Sequence, residues 1–142
     1  MNLSEIETQW REDSIIDPDN LHLESIRIPL LHSKYFQIYN NLYLLRIKEE
    51  ANCAELHKEK WLYYSGKASP EVYKENPFDY KVLKSDLDKY MDSDAELIRS
   101  NSKLQYYNIM LKFLESIIKN IENRSFQIKN SIDVMKFQAG FS

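Results

Sequence analysis

The clearest pattern of apolar and polar positions lies in the last third of the chain. Leu97, Leu104, Leu111, Ile118, Ser125, Ile132 and Ala139 fall seven apart, and Tyr107, Leu114, Ile121, Ile128 and Met135 repeat at the same interval between them. Two interleaved seven-residue repeats make the a/d seam of an amphipathic helix, with one polar position at Ser125. Met110 and Ile117 widen the stripe on one flank. Asp92-Ser93-Asp94 supplies capping side chains at the start, and Glu96 suits the positive end of the helix dipole. Asn123-Arg124-Ser125 predicts a local break, and Gly140 an end. The upper half of the seam fits equally well against the chain's own first long helix or against another copy. For Ile128 to Phe137 the expectation is an intermolecular role, carried by Ile128, Ile132, Met135 and Phe137. One long partner helix in so short a chain cannot cover every apolar stripe, and exposed stripes of this kind find partner chains.

A second long period runs from about Leu30 to Tyr64, where neither Gly nor Pro intervenes. Tyr35, Ile38, Leu42, Leu45, Leu56 and Tyr63 recur at helical spacings, with Cys53 one turn before Leu56. This predicts a helix of about nine turns. Glu49 interrupts its apolar face, and Gly66 is a natural left-handed cap at its end. Upstream, Asp17-Pro18 reads as a cap followed by proline in the first turn of a helix that Pro29 should break. Lys67 to Lys84 reads as a loop containing Pro70 and Pro77, with the alternation Phe78-Asp79-Tyr80-Lys81-Val82 as a short strand. Ser85 is placed to cap a short helix through Met91.

Composition sharpens this into a mainly α fold of long amphipathic helices with a C-terminal oligomerisation arm. Two glycines and four prolines in 142 residues are too few for a sheet-rich chain. The single Cys53 excludes an internal disulfide and a cysteine-based zinc site. The N-terminus lacks the basic and apolar regions of a secretory signal, and no run of about 18 apolar residues could span a bilayer. The net charge of −3 argues against a uniformly basic DNA coat, though a local patch is what meets phosphate. Acidity is concentrated in the first quarter, where Glu5, Glu7, Glu12, Asp13, Asp17, Asp19 and Glu24 face Arg11 and Arg27.

Candidate chemistry is sparse. Two glycines cannot build a phosphate loop, and His22, His32 and His57 do not form a metal-binding pair. Cys53 reads as a packed side chain, and Asp86/Asp88 and Asp92/Asp94 read as helix starts. The expectation is a non-enzyme without metal or cofactor. The informative stretch is His57-Lys58-Glu59-Lys60-Trp61-Leu62-Tyr63-Tyr64-Ser65-Gly66-Lys67. Lysines attract phosphate through Coulomb interaction and counterion release, and aromatic rings stack on unpaired bases of any sequence. The same residues also fit a plainer arrangement, in which the aromatics are core and the lysines snorkel around them. Helical geometry puts Tyr63 in line with Leu56, towards the core, and leaves Trp61 or Tyr64 for bases.

This stretch resembles the basic-aromatic signature of the UvsY family of phage recombination mediators, Leu-Lys-Ala-Arg-Leu-Asp-Tyr-Tyr-Ser-Gly. His32-Ser33-Lys34-Tyr35 is similar to an upstream Tyr-Ser-Lys-Trp element, and Ser102-Lys103-Leu104-Gln105-Tyr106-Tyr107 to a Ser-Leu-Gln-Tyr-Trp region. Ser125 to Asn130 and Met135 to Gly140 resemble the family's C-terminus. The resemblance implies a non-enzymatic protein of the infected host's cytoplasm that binds single-stranded DNA and forms a ring of roughly six to seven subunits. It also implies contact with a RecA-like phage recombinase, UvsX, and with the phage single-strand-binding protein. The implied DNA-binding residues are Lys58, Lys60, Trp61, Tyr64 and Lys67, within an N-terminal section 1–84; section 85–142 would serve self-assembly. Lys60 stands where the family has arginine, Glu59 where it has a neutral residue, Trp61 where it is aliphatic and Leu62 where it is acidic. The motif is therefore less electrostatic and more aromatic. The rival expectation is a structural helical oligomer, a phage scaffold or adaptor, without DNA binding.

Overall fold

The computed structural model describes residues 1–140. Its helices, in chain order, are α1 (Leu3–Asp13), α2 (Leu21–Tyr64), α3 (Pro70–Glu75), α4 (Leu87–Asp92), α5 (Ala95–Glu122) and α6 (Arg124–Gln138). The mainly α class is as expected. No strand occurs among the described residues, so the alternation from Phe78 to Val82 does not become one. It has no neighbouring strand to satisfy its backbone, and Phe78 packs among aromatic rings instead.

Two starts differ from expectation. The acidic N-terminus forms α1, closed by a reciprocal cap: Glu5 N–H donates to Asn2 Oδ1 at 2.9 Å, and Asn2 N–H to Glu5 Oε2 at 3.0 Å. Asp17-Pro18 forms a turn, with Asn20 N–H donating to the Asp17 carbonyl, and α2 begins only at Leu21. Proline suits the second position of such a turn as well as it suits a helix start. Pro29 then lies inside α2 and does not end it. It removes one amide donor, whereas Leu31 and Tyr35, just beyond, are buried and hold the helix by packing.

The chain forms two compact units. One comprises residues 1–43 with the segment from Ile109 onward. Its core is built from Ile6, Leu31, Tyr35, Leu42, Met110, Leu111, Leu114, Ile117, Ile121 and Ile128. The seam from Met110 to Ile121 is thus packed within this unit, whereas Leu97, Leu104 and Tyr107 are half-buried in the other. Ile117 is buried while Ile118, the heptad position, is half-buried. Ile117 lies one heptad after Met110, which is buried as well, so the covered stripe runs along that flank of the seam. The break falls at Asn123, between α5 and α6, and the Arg124 guanidinium turns inward to the Ser14 and Ile15 carbonyls and to Glu24 Oε2, at 3.0 Å.

The other unit comprises Leu44–Asn108 and has a different interior. Its buried residues are Glu49, Met91 and Asp94. The rest is held by an aromatic cluster, in which Tyr63, Tyr64, Tyr73, Phe78 and Tyr90 meet at centroid separations of 5.1 to 5.9 Å. Glu49, the polar residue on the α2 stripe, is paired with Lys103 at 3.4 Å. Cys53 is a free, half-buried thiol with its Sγ 2.7 Å from Ser100 Oγ.

Candidate nucleic-acid interface

The basic-aromatic stretch occupies the last two turns of α2 and its exit. Gly66 has φ +74°, the left-handed conformation expected of a glycine at a helix end. Gly66 N–H donates to the Tyr63 carbonyl at 3.3 Å, and Lys67 N–H to the Leu62 carbonyl at 2.9 Å. These two bonds close a Schellman end. The Tyr73 hydroxyl, from α3, donates to the Tyr63 carbonyl at 2.7 Å and reaches the Leu62 carbonyl at 3.3 Å. The position of Lys67 after the helix is therefore fixed by backbone bonding.

The five motif residues divide into two groups. Lys58, Trp61 and Lys67 are exposed. Lys58 and Trp61 are three apart and neighbour each other on the helix surface. The Lys67 ammonium lies 4.7 Å from the centroid of the Trp61 ring, a cation–π contact in which 38% of the tryptophan remains open to solvent. Positive charge and a flat ring are thus presented together.

Lys60 and Tyr64 point elsewhere. Lys60 Nζ lies 3.3 Å from Asp94 Oδ2 and 3.4 Å from Glu96 Oε1. The Tyr64 hydroxyl donates to the same Asp94 oxygen at 2.6 Å, and its ring packs on Phe78 and Tyr90. Tyr63, expected in the core, is half-buried, stacked on Tyr73 and hydrogen-bonded to the Asn76 carbonyl. Of the two rings expected to be available to bases, Trp61 is the more open.

Asp94 completes this group from outside the motif. Its Oδ1 accepts from the Glu96 and Leu97 amides at 2.9 and 3.0 Å, which caps α5. Burial works to raise its carboxyl pKa, but the Tyr64 hydroxyl, the Leu97 amide and the Lys60 charge outweigh it and hold the group below the usual carboxylate value. Burial chiefly, reinforced by the bond to Asp94, pushes the Tyr64 phenol well above its ordinary value. The sequence identified Asp94 as a helix cap; its bonds to Lys60 and Tyr64 depend on tertiary packing and carry no local signal.

The candidate assembly residues lie on α6. Ile128 is buried within its own unit, whereas Ile132, Met135 and Phe137 are 37%, 49% and 81% exposed. Phe126 and Val134 are open as well and lie off the heptad pattern. Every residue from Lys129 to Gly140 is exposed. An aromatic row along α2, His32–Phe36–Tyr39–Tyr43, stacks at 5.6, 6.2 and 6.1 Å. Its spacings of four, three and four are present in the sequence, but the apolar period of α2 points to the buried face.

Among the described residues no helix is long and apolar enough to cross a membrane. The family model described as recombination, repair and ssDNA binding protein UvsY matches residues 9–141. The recombination protein uvsY of Enterobacteria phage T4 is 25% identical over 140 residues, which cover 99% of each chain. A crystal structure of the bacteriophage T4 recombination mediator protein UvsY matches with a TM-score of 0.86 at 26% identity, over 99% of both chains. Another lattice of the same protein gives 0.84 over 94% of this chain and 98% of that one, at 24% identity. With a family match running almost from end to end and the same arrangement of helices, this chain belongs to the UvsY family of recombination mediators.

Proposed function

We propose that this protein binds single-stranded DNA, assembles with copies of itself into a ring, and promotes loading of a RecA-like phage recombinase while the phage single-strand-binding protein is displaced. It acts by holding DNA and not by catalysis, in the cytoplasm of the infected host. The observation that carries the reading is the exposed set Lys58, Trp61 and Lys67 at the closed end of α2. Lysine supplies a phosphate contact that ignores sequence, and tryptophan a stacking face that ignores it equally. Section 1–84 is assigned the DNA contact, and section 85–142 self-assembly through Ile132, Met135 and Phe137, with Ile128 seating the arm.

Binding of oligo-dT across a range of salt concentrations tests the DNA assignment. Lys58→Ala and Lys67→Ala should each weaken binding and reduce the log–log salt slope by about 0.7 for every phosphate no longer neutralised. A double variant of full assembly size that keeps the parent affinity and slope would exclude this surface. A chain that binds no oligo-dT at low salt would favour the scaffold reading.

A further inference from the structure

We infer that Asp94 is the positioning residue of the DNA surface, and that Lys60 and Tyr64 serve that surface through Asp94 and not by touching the strand. This rests on the reading of Lys58, Trp61 and Lys67 as the DNA contact. Lysine in a basic-aromatic motif is ordinarily taken as a phosphate ligand. Here the Lys60 charge is already met by two carboxylates, Asp94 at 3.3 Å and Glu96 at 3.4 Å. The Asp94 side chain is only 6% exposed. Moving Lys60 to a phosphate would leave that carboxylate with its hydrogen bonds but without its counter-charge, in a place water scarcely reaches.

The bonds of Asp94 form a junction. Oδ2 takes the Tyr64 hydroxyl and faces the Lys60 ammonium, and Oδ1 takes two α5 amides. Lys60 and Tyr64 are four apart, one turn of α2, and flank Trp61 in sequence. Both are pulled to the same side by one carboxylate. Neighbouring side chains on a helix project about 100° apart, so fixing Lys60 and Tyr64 fixes the direction of Trp61 between them. Lys67 is set separately, by the backbone bonds of the Gly66 exit.

Asp94→Asn separates this role from the α5 cap, because the asparagine Oδ1 caps a helix about as well as aspartate, while an uncharged NH2 donor replaces the Oδ2 that accepts from Tyr64 and faces Lys60. Binding to oligo-dT by the full chain is measured across salt, with Trp10→Phe as background so that Trp61 is the remaining tryptophan. If Asp94 positions the surface, Asp94→Asn weakens binding several-fold without steepening the salt slope, and Trp61 emission changes even without DNA. Lys60→Ala does the same and leaves the slope at its parent value. If Lys60 is instead a phosphate ligand held in check, Asp94→Asn frees it, so binding tightens and the slope steepens; Lys60→Ala then lowers the slope by about 0.7. Either of those results overturns the inference, as does unchanged binding in both variants while Lys58→Ala still weakens it. If Lys58→Ala and Lys67→Ala are also without effect, the DNA surface itself lies elsewhere.

Discussion

Asp13 and Asp94 solve the same problem in the two units. Asp13 takes the Tyr35 hydroxyl at 2.8 Å, Lys34 at 2.6 Å and Arg27 at 2.9 Å. Asp94 takes Tyr64 and Lys60. In each case burial disfavours the carboxylate, and hydrogen bonds with nearby cations more than reverse it, so the pKa falls below 3.8. The tyrosines move oppositely: burial first, then the carboxylate bond, raise both above 10.0. The signs give a stability plateau with two edges. The two aspartates stabilise the fold fully above their unfolded value of 3.8, and this is lost as pH falls through their lower folded values. The two tyrosines stabilise it fully below pH 10.0, and this is lost as the unfolded phenols ionise above that point. Urea midpoints measured across pH should therefore hold steady near neutrality and decline at both ends. Asp13→Asn should lower the plateau and soften the acid edge; an unchanged acid edge would contradict the pairing. None of these pairs was legible in sequence, since Asp13 and Tyr35, or Asp94 and Tyr64, share no local pattern.

The elements were more legible, because helices advertise themselves through period and punctuation. The α2 end at Ser65-Gly66, the Asp94 cap of α5 and the break near Asn123 all lie where the sequence predicts them. The failures have physical causes. Pro29 costs α2 a hydrogen bond but not its continuity, since burial of Leu31 and Tyr35 outweighs the local penalty. The Phe78–Val82 alternation lacks a strand partner. The α1 capping box, Asn2 with Glu5, is present in the sequence but masked by the run of acidic residues. The left-handed exit of α2 gives a prediction of its own. A Cβ at Gly66 would meet nothing within 4 Å, so only backbone strain opposes substitution. Gly66→Ala should cost about 1 kcal/mol, and Gly66→Asn less, because asparagine tolerates this conformation. Thermal unfolding reads the difference; equal stability of all three would mean that the exit relaxes freely.

At the scale of the whole molecule, the proposed function makes the arm and the DNA surface depend on each other. One subunit presents Lys58 and Lys67 around a single tryptophan, with Glu59 beside them. On the proposed reading such a site would be weak by itself, and a ring would raise affinity by repeating it along one strand without any new contact. Beyond Ile128 the arm leaves Ile132, Met135 and Phe137 open, and burying apolar area is worth roughly 25 cal/mol per Å². The heptad pattern identified the arm but not where the protomer's own core stops. Arg124 and Ile128 belong to that core, at 2% and 3% exposure, so a truncation that tests assembly must keep them. A chain ending at Asn130 meets this condition. Sedimentation velocity of the full chain and of this shorter one, each with labelled oligo-dT, reports assembly size and DNA capture together. The account predicts that the full chain carries the DNA in one large species, while the shorter chain sediments as a folded, smaller species and leaves most DNA free at the same concentration. A full chain that sediments as a monomer, or a shorter chain that keeps both the large assembly and its DNA, would contradict it.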